Sequence, residues 1–449
     1  MITDQVSLIK KTKFFQKNFD NEKYLPDKNS IFYISPYNDY IGSYILRKIS
    51  NNNKYSIFRN FKIIIKDFLY SLNYINHKIK FNNNNINYKK IFITWALDNN
   101  FNSDGSLNDR YLNINSKQIK NSLWIVIFVG TKIPKKIDDN IVLFVARTKK
   151  SLNILTLLKF FLKQLNYIFK NFFYFLFSIS SYNFFSEIFL KKTKKFIKND
   201  TKMIIMPFEG QPFQNRLINY IHNNHKNIKT IGYIHSLPLG LPTNFIYKKN
   251  GCPQKIILNG KDQNYCFKRY FGWKQSSIVL SPSFRFLISR ENKKKGTIFL
   301  PIEIKNSKFL INNLIELINK KKLNIKNYEI RNHPASKNSK SNLKFIEKIK
   351  SLKKNINFSN SHNRKNNFAI FVGGGGAIIE SLERGNSVMQ ICNINEFDSF
   401  SNKMYPNLIV KKLSKNIFEY RLKKRGNLVK FGNKKNNLKK IKDLISKLI

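Results

Sequence analysis

The first segment whose residues could take part in catalysis is an apolar run that is followed by a glutamate. Met203–Pro207 has the composition of a buried strand, and Glu209, Gly210 and Gln211 follow one residue later. A carboxylate at the end of a strand suits a general base that takes a proton from an acceptor hydroxyl. The alternative is an ordinary helix N-cap, for which Glu is a poor choice. We therefore predict that Glu209 is catalytic and that Gly210 and Gln211 lie beside it in an acceptor cleft.

Two histidines also follow predicted strands. His235 and Ser236 end one apolar run, and Arg331, His333 and Pro334 end another. Ligands of open α/β sheets bind at the carboxyl ends of the strands, where an imidazole or a guanidinium can bind the phosphate of a leaving nucleotide. We predict that His333 is catalytic, with Arg331 and Pro334 in the donor site, and that His235 and Ser236 line the cleft. A surface or capping role is the alternative for His333, and His235 could either contact a substrate phosphate or order the cleft.

The strongest local pattern is a strand followed by four glycines and a helix. Phe368–Val372 predicts a buried strand, and the glycines at 373–376 precede a helical stretch that contains Glu380. Glycines let backbone N–H groups approach a phosphate closely, and a helix N-terminus carries partial positive charge. We predict that Gly374, Gly375 and Gly376 bind the donor phosphate and that Glu380 reaches its ribose. A tight turn with a solvated Glu380 is the alternative, because the pattern is neither GxGxxG nor a P-loop.

A polar loop at residues 95–111 is rich in Asp, Asn and aromatic residues. This composition suits sugar hydroxyls, so we place Asp104 and Asp109 in the acceptor or cleft region. A plain turn around Asp104 and Gly105 is the alternative. The chain has no Asp-x-Asp motif, and its three cysteines are scattered without metal-ligand spacing. We expect no metal and no resident cofactor, with a nucleotide sugar bound as a substrate.

Short apolar runs alternate with helical patterns along most of the chain, which is typical of an α/β fold. We predict two Rossmann-like domains that face a cleft. Residues 1–250, with a helical insertion at about 151–200, and residues 251–425 would form the two domains, and a basic helix follows at 426–449. The predicted strands are Ser30–Ile34, Lys90–Thr94, Leu123–Val129, Ile141–Ala146, Met203–Pro207, Lys229–Ile234, Lys255–Leu258, Ser277–Leu280, Gly296–Leu300, Tyr328–Arg331, Phe368–Val372 and Ser387–Ile391.

The net charge of +55 could indicate nucleic acid or an anionic membrane as a partner. Genome composition is an alternative source of the lysines, because Lys, Asn, Ile and Phe are all over-used and share AT-rich codons. The basic residues are spread along the whole chain, so we expect no nucleic-acid partner. The N-terminus lacks a signal-peptide pattern, and lysines interrupt the apolar stretch 152–189. We expect a cytoplasmic protein in peripheral contact with an anionic inner membrane.

The order of these motifs resembles the two-domain GT-B glycosyltransferases that make bacterial capsules and lipopolysaccharide. The first half is similar to a family of surface carbohydrate biosynthesis proteins through Trp95, Phe101, Gly105, Asp109 and Tyr111. The acid-Gly and His-Pro pair also resembles bacterial sialyltransferases and polysialyltransferases. Taken together, the resemblance covers roughly residues 30–410.

The resemblance implies transfer of a sugar from a nucleotide donor, such as a CMP-sugar, to a glycan or lipid-linked acceptor. It also implies that the first domain binds the acceptor and the second binds the nucleotide sugar. In that reaction Glu209 would be the base and His333 would contact the donor phosphate. Phe208 stands where sialyltransferases carry a further acid, and the glycines at 373–376 replace a Ser/Thr pair. Enzymes of the same fold that remain as alternatives are a glycerol- or ribitol-phosphate transferase and a sugar-nucleotide epimerase. A basic nucleic-acid-binding protein is the alternative of a different class.

Overall fold

A computed structural model of the chain describes residues 5–21, 31–34, 41–49, 62, 64–67, 69, 71, 78–81, 88–145, 154–236, 241–288, 296–301, 304, 306–333, 336, 339–355, 368–392 and 395–448. Within these described residues the chain forms two large β-sheets, flanked by helices. The prediction of a mixed α/β fold is confirmed.

The strands of both sheets and of one small hairpin are short, as is usual when helices connect them. In chain order they are β1 (Lys78–Lys80), β2 (Lys90–Ala96), β3 (Asn108–Asp109), β4 (Ile114–Asn115), β5 (Ser122–Phe128), β6 (Ile141–Val145), β7 (Met203–Pro207), β8 (Lys229–Tyr233), β9 (Lys255–Leu258), β10 (Ile278–Leu280), β11 (Thr297–Phe299), β12 (Glu329–Arg331), β13 (Phe368–Val372), β14 (Ser387–Ile391), β15 (Leu408–Lys412) and β16 (Ile417–Leu422).

The helices with described bounds lie mainly between consecutive strands. They are α1 (Gln5–Asn21), α2 (Ile41–Ile49), α3 (Ile154–Gln164), α4 (Phe172–Ser178), α5 (Ser181–Thr193), α6 (Pro212–Asn224), α7 (Lys261–Arg269), α8 (Ser307–Lys321), α9 (Lys340–Asn355), α10 (Ala377–Glu383), α11 (Asn395–Asp398) and α12 (Lys434–Leu448).

Parallel pairing dominates both large sheets. The first has eight strands in the order β1-β6-β5-β2-β7-β8-β9-β10, and only the β1–β6 pair is antiparallel. The second has the order β12-β11-β13-β14-β16-β15, parallel as far as β14 and antiparallel beyond it. Parallel strands carry their carboxyl ends to the same edge of a sheet, and that edge is where ligands bind in open α/β folds.

The predicted strands between Lys90 and Ile391 are present, with ends shifted by no more than a few residues. The prediction of a strand at Ser30–Ile34 is wrong for its described residues, 31–34, which have no strand partner. Phe32 packs on Phe177 and Phe15 instead, with ring centroids 5.4 and 6.3 Å apart. The apolar composition of this segment therefore reflects burial under helices and not sheet pairing.

The first sheet continues beyond residue 250, where the sequence predicts a domain boundary. β9 pairs in parallel with β8, and β10 pairs in parallel with β9. The change from one sheet to the other falls between Leu280 and Thr297, the ends of β10 and β11. The polar turn at 250–253 is thus a connection within the first sheet.

Both faces of the first sheet are covered, because successive side chains of a strand point to opposite faces. Helices α3 to α5 of the predicted 151–200 insertion cover one face, where Phe144 of β6 contacts Phe185 and Phe189. Helix α12 covers the other, with Ile441 and Ile445 in the same core cluster as β2 and β5. The last helix thus packs back onto the first sheet. Within the described part of the chain, no helix is both long and apolar enough to cross a membrane.

Candidate active site

Two neighbouring strands bring Glu209 and His235 together. β7 and β8 are parallel neighbours in which Pro207 is in register with Tyr233. Glu209 and His235 each lie two residues beyond that pair, so they leave the same edge of the sheet at the same level. Their side chains meet, with Oε1 of Glu209 3.4 Å from Nε2 of His235. Two strand-end positions that the sequence singles out therefore form one cluster.

Gly210 and Gln211 position the Glu209 carboxylate, beside which the sequence places them. Nε2 of Gln211 donates to Oε2 of Glu209 at 2.6 Å, and the backbone N–H of Glu209 donates to Oε1 of Gln214 at 2.9 Å. Gly210 adopts φ +65°, and a Cβ there would lie 2.2 Å from the carbonyl oxygen of Asn244. A side chain is excluded at this position by both the backbone conformation and the space.

Asp109 holds the Tyr111 ring against this cluster. The Asp109 carboxylate is buried and accepts hydrogen bonds from the backbone N–H groups of Tyr111, at 2.9 Å, and Leu112, at 2.6 Å, and from the Thr94 hydroxyl. The Tyr111 ring then meets the His235 ring edge-on, with centroids 4.6 Å apart. Asp109 is occupied by these bonds, so within the described site it positions Tyr111 and does not face the cleft itself.

Asp104 lies farther out in the same loop. It accepts a hydrogen bond from the backbone N–H of Ser106 at 2.9 Å and pairs with Lys117 at 2.7 Å. The following residue, Gly105, adopts φ +89°. These are the contacts of an exposed Asp-Gly turn, which was the alternative that the sequence left open for Asp104.

Two arginines lie over the Tyr111 ring. The Arg110 guanidinium lies 4.9 Å from the ring centroid and donates to the Tyr111 hydroxyl at 2.8 Å. The Arg285 guanidinium lies 5.8 Å from the same centroid. Both act electrostatically on Glu209 and on His235. The site therefore places two fixed positive charges around one carboxylate and one imidazole.

Burial and these arginines shift the pKa values of Glu209 and His235. Desolvation raises the pKa of the Glu209 carboxyl, against the opposing effects of the Gln211 hydrogen bond, Arg285 and Arg110. Desolvation also holds the pKa of His235 well below its ordinary value, and Arg285 and Arg110 act in the same direction. His235 is therefore neutral at neutral pH. Its Nε2 faces the Glu209 carboxylate, so we infer that the proton is on this nitrogen.

The second sheet contributes residues to the same place. A Cβ built on Gly376 would lie 3.7 Å from Cβ of Ser236, so the glycine turn after β13 reaches the edge where β8 ends. His333 is half-buried, and its pKa is lowered first by burial and then by Arg285. Arg285 thus acts on His333 as well as on Glu209 and His235. Glu209, His235 and His333, which the sequence predicts from separate motifs, therefore all lie within the electrostatic influence of Arg285.

Other predicted donor-site residues have partners on their own elements. Glu380 accepts from Nη2 of Arg384 at 2.8 Å, one turn further along α10. Arg331 pairs at 2.9 Å with Glu329, which belongs to the same strand, β12. Gly374 and Gly375 lie in the turn between β13 and α10, whereas Pro334 lies outside the described residues. Ion pairs as short-range and exposed as these are weak, so a ligand phosphate or ribose can replace them.

Sequence inspection missed Arg285 and Asn244. Arg285 lies five residues past the end of β10, and Asn244 donates from Nδ2 to the carbonyl oxygen of Glu209. A signal for Arg285 was available, because an arginine soon after a predicted strand resembles the Arg331 pattern. Asn244 carried no such signal, because it follows no strand directly.

No cluster of three or more His, Cys, Asp or Glu side chains suited to a metal ion is present among the described residues. The cysteines Cys252, Cys266 and Cys392 are free and buried. Positive charge for an anionic ligand at this edge comes from the guanidinium groups of Arg110 and Arg285.

Comparison with known proteins adds no further assignment to the site. No protein-family model matches the chain, and no curated protein matches it in sequence. The functional proposal therefore rests on the residues and contacts of the site.

Proposed function

We propose that the protein is a glycosyltransferase of GT-B type that moves a sugar from a nucleotide donor, such as a CMP-sugar, to a surface polysaccharide or lipopolysaccharide acceptor. The observation that carries the proposal is the Glu209–His235 contact, flanked by Arg110 and Arg285. A base surrounded by cations suits a reaction in which a hydroxyl loses a proton while a phosphate leaves as an anion. The two predominantly parallel sheets and the close approach of Gly376 to Ser236 support a donor bound between them.

The chemical step is a displacement at the anomeric carbon. Glu209 accepts the proton of the acceptor hydroxyl, and the oxygen forms a bond to the anomeric carbon. The bond from that carbon to the donor phosphate oxygen breaks, and its electron pair leaves with the nucleotide. Arg285 and His333 stabilise the charge that develops on the phosphate. Neutral His235, whose Nε2 lies 3.4 Å from Oε1 of Glu209, packs beside the carboxylate and helps to keep it oriented.

A thermal-shift panel of CMP, CDP, UDP and GDP tests the proposal. A nucleotide that binds only the folded protein must raise the unfolding midpoint, by an amount that grows with its concentration. We expect CMP or another of these nucleotides to raise it. A panel in which none changes the midpoint at millimolar concentration would contradict the proposed donor class.

Replacing Arg285 with Gln should weaken binding of the nucleotide that the panel identifies by about tenfold or more, since a charge-assisted hydrogen bond contributes about 1.5–3 kcal/mol. Isothermal titration measures the affinity. The matched control is Arg269→Gln, which removes an equal charge from an exposed position on α7. Equal affinities in the two variants would remove Arg285 from the phosphate site.

Transfer of glycerol- or ribitol-phosphate is a second candidate, and the two arginines favour it. In that reaction the transferred group is itself a phosphate, which would carry negative charge next to the base, where Arg110 and Arg285 lie. Titration with CDP-glycerol and CDP-ribitol beside CMP-sugars separates the two. Tighter binding of the CDP-polyols would favour phosphate transfer.

A further inference from the structure

Helix α3 and the turn after it expose apolar side chains along one face. Leu155 is 67% exposed, Leu162 is 63% exposed and Phe169 is 97% exposed, while Leu158 and Leu165 are exposed between them. The spacing from Leu155 to Leu165 is that of one helix face. Single exposed apolar residues are ordinary on protein surfaces, but a row of them marks a contact site. We refer to Leu155, Leu158, Leu162, Leu165 and Phe169 as the apolar row.

The core does not require these residues. A different face of α3 supplies the core, where Leu157 and Phe160 are buried. The helix is therefore apolar on two sides, although packing against the sheet needs only one. The apolar row faces solvent in the described structure, so its composition calls for an additional partner.

The charge around the apolar row is uniformly positive in the sequence. The chain contains no Asp or Glu between Asp139 and Glu187, whereas six Lys or Arg residues fall in that interval. Lys159 and Lys163 alternate with the leucines of α3, and Lys170 follows Phe169 directly. Glu187, one of the two acids that bound this interval, lies 3.8 Å from Lys163. Leucines interleaved with lysines are typical of helices that lie in the interface of an anionic bilayer.

A cavity next to helices α3 to α5 is also lined by both lysines and apolar residues. It has a volume of about 460 Å³ and lies between α1 and α2, lined by Lys10, Lys11, Phe14, Phe15, Asn18 and Ile49. Phe15 connects it to the helical layer, because its ring meets that of Phe173 edge-on at 5.0 Å. The lining combines two lysines with two phenylalanines, of which Phe14 is 68% exposed, and this mixture suits the phosphate and the acyl chain of one lipid.

We propose that the apolar row and this cavity together dock the protein on an anionic lipid bilayer. The leucines and Phe169 insert below the head groups, the neighbouring lysines bind lipid phosphates, and the cavity between α1 and α2 takes an acyl chain. The contact is peripheral. It does not depend on the proposed transferase activity, because none of its residues belongs to the Glu209 site.

Vesicle co-sedimentation tests this proposal. The full-length protein is mixed with vesicles of phosphatidylcholine alone, or with a third of the lipid replaced by phosphatidylglycerol. We expect binding to the charged vesicles only, and a steep loss of binding between about 0.1 M and about 1 M salt, over which the Debye length falls from about 10 Å to about 3 Å. Absence of binding to charged vesicles at low salt would overturn the proposal.

A triple variant isolates the apolar contribution. Leu155→Gln, Leu162→Gln and Phe169→Gln together should lower the partition coefficient at least about tenfold, because three side chains no longer insert. The control replaces three exposed apolar residues on other elements, Leu280, Leu343 and Ile409, with Gln; these are 48%, 48% and 44% exposed, less than the three residues of the apolar row. Equal binding of the two triple variants would overturn the proposal.

Two further measurements keep the outcome clear. Phe169→Ser alone, at the most exposed position, should reduce vesicle binding several-fold with no change in the unfolding midpoint, which covers the case in which the triple variant does not fold. Light scattering without lipid reports self-association. A dimer that the triple variant converts to a monomer, without vesicle binding by the wild type, would assign the apolar row to a second copy of the chain and overturn the lipid assignment.

Discussion

Replacing Glu209 with Gln is expected to lower turnover by roughly 10²–10⁴-fold while leaving nucleotide affinity nearly unchanged. Glutamine keeps the shape of the side chain and can still accept from Gln211, which donates to Glu209 at 2.6 Å. It cannot take a proton from the acceptor hydroxyl, so only the step that needs a base is lost. Nucleotide release from the donor measures the rate, and isothermal titration measures affinity.

The control for this variant is Glu316→Gln, which removes an equal charge from α8, where Glu316 pairs with Lys320 at 2.8 Å. We expect wild-type rate and affinity from it. Loss of nucleotide binding in a folded Glu209→Gln protein would move Glu209 into the donor site and reopen the choice of base.

His333→Ala should lower both nucleotide affinity and turnover, because His333 is assigned to the leaving phosphate.

The sequence predicts the interior strands well because they are apolar on both faces. β5 and β7, for example, are buried at every position, so each appears as an uninterrupted apolar run. β1, β15 and β16 were missed. β1 contains two lysines in three residues, and β15 and β16 lie near the exposed end of the second sheet, with polar residues between apolar ones. A strand that is covered on one side only carries a weaker signal.

Only those site residues that follow a recognisable strand could be predicted from the sequence. Glu209 and His235 were found separately, because each follows a buried run. Their contact depends on the adjacency of β7 and β8, which is a property of sheet order. Tyr111 and Arg285 lie close together at the site, although their loops are more than a hundred residues apart in the sequence. The local composition of either loop does not indicate which distant loop it will contact. Sheet order also explains the domain boundary predicted at residue 250. The sequence shows a polar turn there, but it does not show that the next strand joins the same sheet.

A second large effect is expected from Asp67, a buried carboxylate away from the site. Its Oδ1 accepts from the backbone N–H of Ser181, at the start of α5, at 3.1 Å, and its Oδ2 has no hydrogen-bond partner among the described residues. The positive end of a helix favours a negative charge there. Burial outweighs the hydrogen bonding of Asp67 to Ser181 and to the Ile41 backbone, and it raises the pKa of Asp67 from 3.8 to about 6.

The sign of the effect on stability follows from the raised pKa. Below about pH 4 the carboxyl is protonated in both the folded and the unfolded chain, so it carries no penalty. As the pH rises toward 6, the unfolded chain releases its proton first, and the folded state loses stability. Above pH 6 the full penalty remains. A shift of about two pKa units corresponds to about 3 kcal/mol.

Asp67→Asn should therefore stabilise the protein by about 2–3 kcal/mol at neutral pH and hardly at all near pH 4, because the amide keeps the acceptor for Ser181 and cannot ionise. Thermal unfolding midpoints of both proteins at about pH 7.5 and about pH 4.5 measure this. The contrasting variant is Asp109→Ala, which removes the acceptor of three hydrogen bonds. The buried backbone N–H groups of Tyr111 and Leu112 would then lose their partner, so we expect destabilisation by about 1–3 kcal/mol. A lower midpoint for Asp67→Asn at neutral pH would mean that the charge is stabilised by the α5 terminus more than it is penalised by burial.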